Sequence, residues 1–210
     1  MNSQLRVRHL GMSSYQDVWQ QMKEFTHSRN NDTCDEAWVV EHPPVFTLGQ
    51  AGKSEHILAA GDIPIVKSDR GGQVTYHGPG QLIVYLLIDI RRLGINVRQL
   101  VSGIEVSIVN LLNTYNVVAA ARKDAPGVYV DGKKIAALGL RIRKGCSYHG
   151  LSLNVDMDME PYSQINPCGY AEMEIIQLRD LGVTQSLMQV SELLLTHIQG
   201  QFSYTSLIQD

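Results

Sequence analysis

The chain has 210 residues, 44% of them hydrophobic and 19% charged, with a formal net charge of −3. That balance supports one domain with a buried core, excludes a disordered chain, and gives no global attraction to nucleic acid or an anionic membrane. No apolar run approaches the ~20 residues of a membrane span, and residues 1–10 lack the apolar stretch of a secretory signal, so a cytoplasmic protein is expected.

Taken in order, Leu5, Val7 and His9 alternate as a first strand does. Ser14 opens a helix in which Val18, Met22 and Phe25 recur at helical spacing to about residue 27. Buried strands are expected over 37–41 and, after the Pro43-Pro44 break, over 45–48. Gly52-Lys53-Ser54 has the ending of a phosphate loop, but the glycine required five residues before Gly52 is Thr47, so the motif fails. A short strand at 63–66 leads to a glycine-rich stretch, and an apolar run at 82–90 follows it. A helix over 97–115 carries Leu100, Ile104, Ile108 and Leu111 on one stripe.

Residues 117–121 read as a strand. Residues 127–130, the pair Asp131-Gly132 and residues 135–142 then form a hairpin with a type I′ signal. Lys144-Gly145 turns the chain into a strand over 148–155, residues 161–170 are irregular, and a last helix spans 186–198. With no internal repeat or linker, residues 1–210 read as a single domain. Its class is α+β (within the broader α/β group), with a mixed, largely antiparallel sheet flanked by helices.

Chemistry concentrates in a few places. Between Arg70 and Gln81 four glycines and a proline stand beside an arginine, a tyrosine and a histidine, a composition that lets backbone approach a ligand. The same residues would also build a hairpin before a buried strand. Cys34, Cys146 and Cys168 are an odd number without C-x-x-C spacing, so they read as free thiols, with no disulfide framework and no metal site. Cys168 lies on a rigid Asn166-Pro167-Cys168-Gly169 elbow, which suits either a nucleophile or a small buried hydrophobe. A nucleophilic thiol, with a free pKa of ~8.5, needs a neighbouring cation. Lys134 enters the strand after the Asp131-Gly132 turn and is the local candidate. An edge lysine with its amine in water fits the same spacing. Tyr76-His77-Gly78 and Tyr148-His149-Gly150 repeat one tripeptide, but no third ligand at metal-binding spacing accompanies them, so both histidines are expected to orient a carbonyl or fill polar pocket positions.

Together these motifs resemble a known family. Residues 41–49 (Glu-His-Pro-Pro-Val-Phe-Thr-Leu-Gly), the Arg70–Gln81 block, Lys134-Ile135-Ala136 with Gly139, His149-Gly150 with Leu153-Asn154-Val155, and Pro167-Cys168-Gly169 occur in that order. They are similar to the lipoate–protein ligase B family, the octanoyl-[acyl-carrier-protein]:protein octanoyltransferases, over about residues 5–200. The resemblance implies a domain like those of the biotin and lipoate ligases. It implies transfer of an octanoyl group, without a cofactor, from acyl carrier protein to a lysine of lipoyl domains, in 2-oxoacid dehydrogenases and the glycine cleavage H protein. The family's catalytic pair falls on Cys168 and Lys134. Its substrate-binding segments fall on Arg70, Gly71, Gly72, Gln73, Val74, Thr75, Tyr76 and His77, on Ala137, Leu138 and Gly139, and on Gly150, Leu151 and Ser152. Arg141, Arg143 and Lys144 fit either a basic patch for an acidic carrier or a solvated hairpin tip. An ATP-dependent ligase on the same fold and a catalytically silent binding module are the competing readings. Only the octanoyltransferase needs Cys168 with Lys134.

Overall fold

The computed structural model describes residues 4–169 and 173–209. The chain begins β1 (Gln4–Met12), α1 (Tyr15–Ser28), β2 (Asp35–Glu41), β3 (Val45–Leu48), β4 (Ile65–Lys67), β5 (Val74–His77) and β6 (Gln81–Leu87). It continues with α2 (Val97–Thr114), β7 (Ala120–Ala121), β8 (Gly127–Val130), β9 (Lys133–Arg143), β10 (Cys146–Asn154), α3 (Leu187–Gln201) and β11 (Ser206–Gln209). Eight strands form one sheet in the order β11-β1-β2-β6-β10-β9-β8-β7, and β4, β3 and β5 form a second. In the large sheet β1 is parallel to β2 and β11, and the other pairs are antiparallel. This is the mixed, largely antiparallel α+β architecture expected.

The apolar run of β6 is continuous because both of its faces are covered. Leu82, Val84 and Leu86 pack with Leu100, Ile104 and Ile108 of α2 and Leu194 and Ile198 of α3. Ile83, Tyr85 and Leu87 pack with Val18 and Met22 of α1. Reciprocal capping boxes, Asn96 with Gln99 and Ser186 with Gln189, satisfy orphan N–H groups where α2 and α3 begin. The β8–β9 turn is of the expected I′ type, with φ of 48° at Asp131 and 82° at Gly132. No helix among the described residues is long and apolar enough to cross a membrane.

Four elements differ from the sequence reading. The strand expected at 63–66 is shifted to Ile65–Lys67. The run at 82–90 leaves the strand after Leu87, because the Asp89 carboxylate accepts from the N–H groups of Arg91 and Arg92 and turns the chain. Only Ala120–Ala121 of 117–121 is a strand, and residues 160–164 and 167–169 within the irregular stretch are 3-10 turns. β5 inside the glycine-rich stretch and β11 after the last helix are additional strands.

Asp35 ties the far end of the sheet together. It is buried and accepts from Arg29, from Arg92 (2.6 Å), from the Asp89 N–H (2.8 Å) and from the Tyr204 hydroxyl (2.9 Å). Removing the carboxylate strands the buried Arg29 guanidinium. Asp35→Ala should therefore cost about 3–5 kcal/mol in urea unfolding, and a loss below about 1 kcal/mol, the scale of an exposed pair, would contradict this role.

Candidate active site

The glycine-rich stretch folds as a loop held from inside by Arg70. Its buried guanidinium donates from Nε to Thr47 Oγ1 (3.0 Å), from Nη1 to Gly71 O (2.9 Å), and from Nη2 to Thr47 O (2.6 Å) and Gln73 O (2.7 Å). Gly71 N donates to Leu140 O (3.0 Å), fastening the loop to β9. The approach is so close that a Cβ on Gly49 would stand 2.4 Å from Gly72 O and 2.9 Å from Arg70 Nη1. Glycine is required there by space.

Between this loop and the large sheet lies a cavity of ≈ 500 Å³, counting the solvent at its mouth. Arg70, Gly72, Gln73, Val74, Thr75 and His77 form one wall, Ala137, Leu138 and Gly139 of β9 another, and Gly150, Leu151 and Ser152 of β10 a third. Tyr15, Ile83, Tyr85 and His149 complete the lining. Gly71 and Tyr76 stand behind it: Gly71 binds β9, and Tyr76 packs on Phe46 and Tyr162. Arg70 lines the cavity while its donors hold Thr47 and the loop.

A smaller adjoining cavity shares Thr75, Ala137 and Ser152 with the first and adds Lys134, Asn154, Tyr162, Pro167 and Ile175. Lys134 is 4% exposed, its Nζ donates to Pro126 O (3.3 Å) and lies 5.2 Å from the centre of the Tyr129 ring. One register shift between β8 and β9 falls beside it, between the Tyr129↔Lys134 and Val128↔Ala136 pairs. Gly127 makes room for the side chain: with φ of 140°, a Cβ there would meet Ala136 O at 2.6 Å and Lys134 Cε at 3.2 Å. Lys134 therefore points inward, and the edge-lysine alternative does not hold.

On its other side Lys134 is hydrogen-bonded through its backbone to Glu174 O and Ile176 N. The Pro167–Gly169 turn packs on β5, and a Cβ at Gly169 would stand 3.4 Å from Gln73 Cγ and from His56 Nε2. The side chain of Cys168 lies outside the described residues. Arg141 and Arg143 at the other end of β9, and Lys144 just beyond it, lie roughly 24–34 Å from Lys134 along the strand at ~3.4 Å per residue.

The cavity is polar where it meets His149, Tyr15 and Tyr85, and these side chains are hydrogen-bonded to their surroundings. His149 Nε2 donates to Asp69 Oδ1 (2.9 Å), Trp19 Nε1 donates to the same oxygen (2.8 Å), and the Tyr148 hydroxyl donates to Oδ2. Burial alone would raise the Asp69 carboxyl, but the hydrogen bonds from His149 and Tyr148 outweigh it and hold the group well below the usual carboxylate range. Tyr15 OH donates to Ser68 Oγ (2.7 Å) and Tyr85 OH to His42 Nε2 (2.7 Å). His42 Nδ1 donates to Ser13 O (2.6 Å) and His77 Nδ1 to Gln81 Oε1 (2.7 Å).

The comparisons with known proteins fit this geometry. Residues 14–199 match the model of the lipoyl protein ligase A/B catalytic domain. The chain belongs to that family. Among its relatives, the octanoyltransferase of Shewanella oneidensis is 58% identical over 207 residues, covering 99% of this chain and 95% of the relative. That of Aliivibrio fischeri is 66% identical over 181 residues, covering 86% and 80%. The fold is that of a bipartite lipoate protein ligase of Thermoplasma acidophilum (16% identity, TM-score 0.76, 100% of this chain and 85% of that one). The biotin protein ligase of Aquifex aeolicus is more distant (14% identity, TM-score 0.59, 97% and 71%). Within the family the chain stands with the octanoyltransferases, and it is an acyltransferase.

Three lining residues escaped the sequence reading. Tyr15 and Tyr85 look like ordinary members of an apolar helix stripe and strand, and Ile83 like core. His149, expected with His77 to orient a carbonyl or fill a polar pocket position, does line the cavity, whereas Asp69 behind it carried no signal. Burial lowers His42 to about 4 and His77 to about 3 from an ordinary 6.5, so both are neutral in the folded chain at neutral pH. The unfolded chain takes up these protons as pH drops below 6.5, whereas the folded chain does so only near 4 and 3. Stability should fall between pH 6.5 and 4 by up to about 1.4 kcal/mol per pH unit per histidine. Urea midpoints measured across that range check this: His77→Gln should flatten the dependence, and a flat wild-type profile would contradict it.

Proposed function

We propose that the octanoyl group is carried through a thioester on Cys168, with Lys134 as the proton-transfer partner. The observation that carries the reading is that two neighbouring cavities share Thr75, Ala137 and Ser152 in their walls: the larger suits an acyl chain, and the smaller is lined by Lys134 and Pro167. In the first half-reaction the Cys168 thiolate attacks the thioester carbonyl of octanoyl-acyl carrier protein. The tetrahedral oxyanion collapses, the carrier's thiolate leaves, and it recovers the proton that Lys134 took from Cys168. In the second, a lysine amine of a lipoyl domain attacks the acyl-enzyme, an amide forms, and Cys168 leaves as thiolate. Lipoyl domains of 2-oxoacid dehydrogenases and the glycine cleavage H protein are the acceptors in this reading.

The thermodynamics favour that order. Exchange between thioesters is nearly thermoneutral, and amide formation is downhill. The attacking amine, with a pKa of ~10.4 in water, must lose a proton, which a nearby neutral Lys134 or a thiolate–ammonium pair can accept. In this reading backbone N–H groups near Gly139, or along the strand from Lys134 to Gly139, donate to the developing oxyanion. The substrate wall is then Arg70 to His77, Ala137 to Gly139 and Gly150 to Ser152, as the family resemblance implies. At ~0.8 kcal/mol per buried methylene the chain contributes several kcal/mol before ordering costs. The reaction needs no cofactor, and a cytoplasmic location suits both protein substrates.

Transfer of octanoyl from its carrier protein to an apo-lipoyl domain, assayed without ATP, tests the reading. Turnover should persist without nucleotide, vanish in Cys168→Ala, and drop about 10²–10⁴-fold in Lys134→Ala with the fold intact by circular dichroism. An absolute requirement for ATP, or an active Cys168→Ala enzyme, would overturn it.

A further inference from the structure

Alternation along β10 sends Leu151 and Leu153 into the core beneath α2 and α3 and Tyr148 to the opposite face beside α1. By that rule His149 belongs with Leu151. It does not go there. Its φ is 60°, a left-handed conformation rare outside glycine, and the ring lies on the cavity side. It stacks on Tyr148 with centroids 5.0 Å apart, meets Tyr85 edge-on at 6.1 Å, and is tethered to Asp69. The residue is 1% exposed, and among the described residues its Nδ1 has no hydrogen-bond partner. A left-handed backbone and an unpaired buried nitrogen both cost stability. Both follow from placing this ring against the cavity, and such costs gather at functional sites.

Strand register gives the cavity a length. Ser152, opposite Ala137, marks the end shared with Lys134, and His149, opposite Leu140, is three positions further along. At ~3.4 Å per residue the separation is about 10 Å. An all-trans eight-carbon chain in staggered torsions is about 9 Å long. We propose that His149 is the end stop of the acyl cavity, setting a maximum chain length of about eight carbons. This rests on the acyl-cavity reading above and adds the residue that makes it selective. A longer chain must displace the imidazole, breaking its hydrogen bond to the half-buried Asp69. A shorter one forfeits apolar burial, about four-fold in affinity per methylene.

The test is the ratio of transfer rates from dodecanoyl- and octanoyl-carrier protein to an apo-lipoyl domain, which cancels any general loss of activity. In His149→Gly, whose backbone suits φ of 60°, the ratio should rise by at least about ten-fold, the lower range for a methylene-sized change in a pocket. His149→Asn, also tolerant of a left-handed backbone, serves if the glycine variant does not fold, and its ratio should move in the same direction. A folded variant that keeps the wild-type ratio would overturn the end stop. A wild-type enzyme with no preference between the two chains would overturn it too, whereas an enzyme that transfers neither chain would fail the acyl-cavity reading itself, and the two failures are thereby distinguished.

Discussion

The cavity depends on one buried cation. Arg70 sits beneath the glycine-rich loop with its guanidinium directed at Thr47 of β3 and at carbonyls of the loop itself. Together with the bond from Gly71 N to Leu140 O, these bonds fix the distance between the small sheet and β9, and so the width of the space between them. Burying a guanidinium is costly unless its donors are matched, and the loop's curvature supplies carbonyls at the right places. Two glycines follow from the same constraint: a Cβ on Gly49 would collide with Gly72 O, and Gly72 takes a φ of 86°. The loop is thus a spacer that resists collapse of the space it encloses.

β9 links that space to the reactive groups. Its first residues carry Lys134, its middle forms the cavity wall, and Leu140 accepts the bond that anchors the loop. A rigid strand places functional groups more precisely than a loop can. The irregular register beside Lys134 and the side-chain-free backbone of Gly127 accommodate an inward lysine at its start. Asp69 performs the corresponding task at the other end, gathering Trp19, Tyr148 and His149 on one carboxylate. A mobile imidazole would leave the cavity's length undefined. Held by that carboxylate, it has one position.

Much of this was legible in the chain where local rules dominate. The Asp131-Gly132 hairpin is legible because the turn's backbone demands those residue types. The α2 stripe follows from helical period, and the large sheet from successive apolar runs. β11 was not, since a short polar-flanked segment becomes a strand only when β1 offers it a parallel edge. Most of the cavity wall was recognisable from motif order, whereas Tyr15, Ile83 and Tyr85 were indistinguishable from core. His149 illustrates the physical limit: a left-handed residue moves a side chain to the other face of a sheet, and alternation in the sequence predicts the opposite.

The central claim is that the acyl chain is held in covalent form between its two protein partners. It is tested most directly by mixing the enzyme with octanoyl-carrier protein in the absence of acceptor, quenching in acid and mapping the peptides by mass spectrometry. An added octanoyl group on the peptide containing Cys168, discharged when apo-lipoyl domain is added at a rate no slower than turnover, is the predicted result. Transfer with no adduct at any time point, or an adduct confined to Cys34 or Cys146, would contradict it.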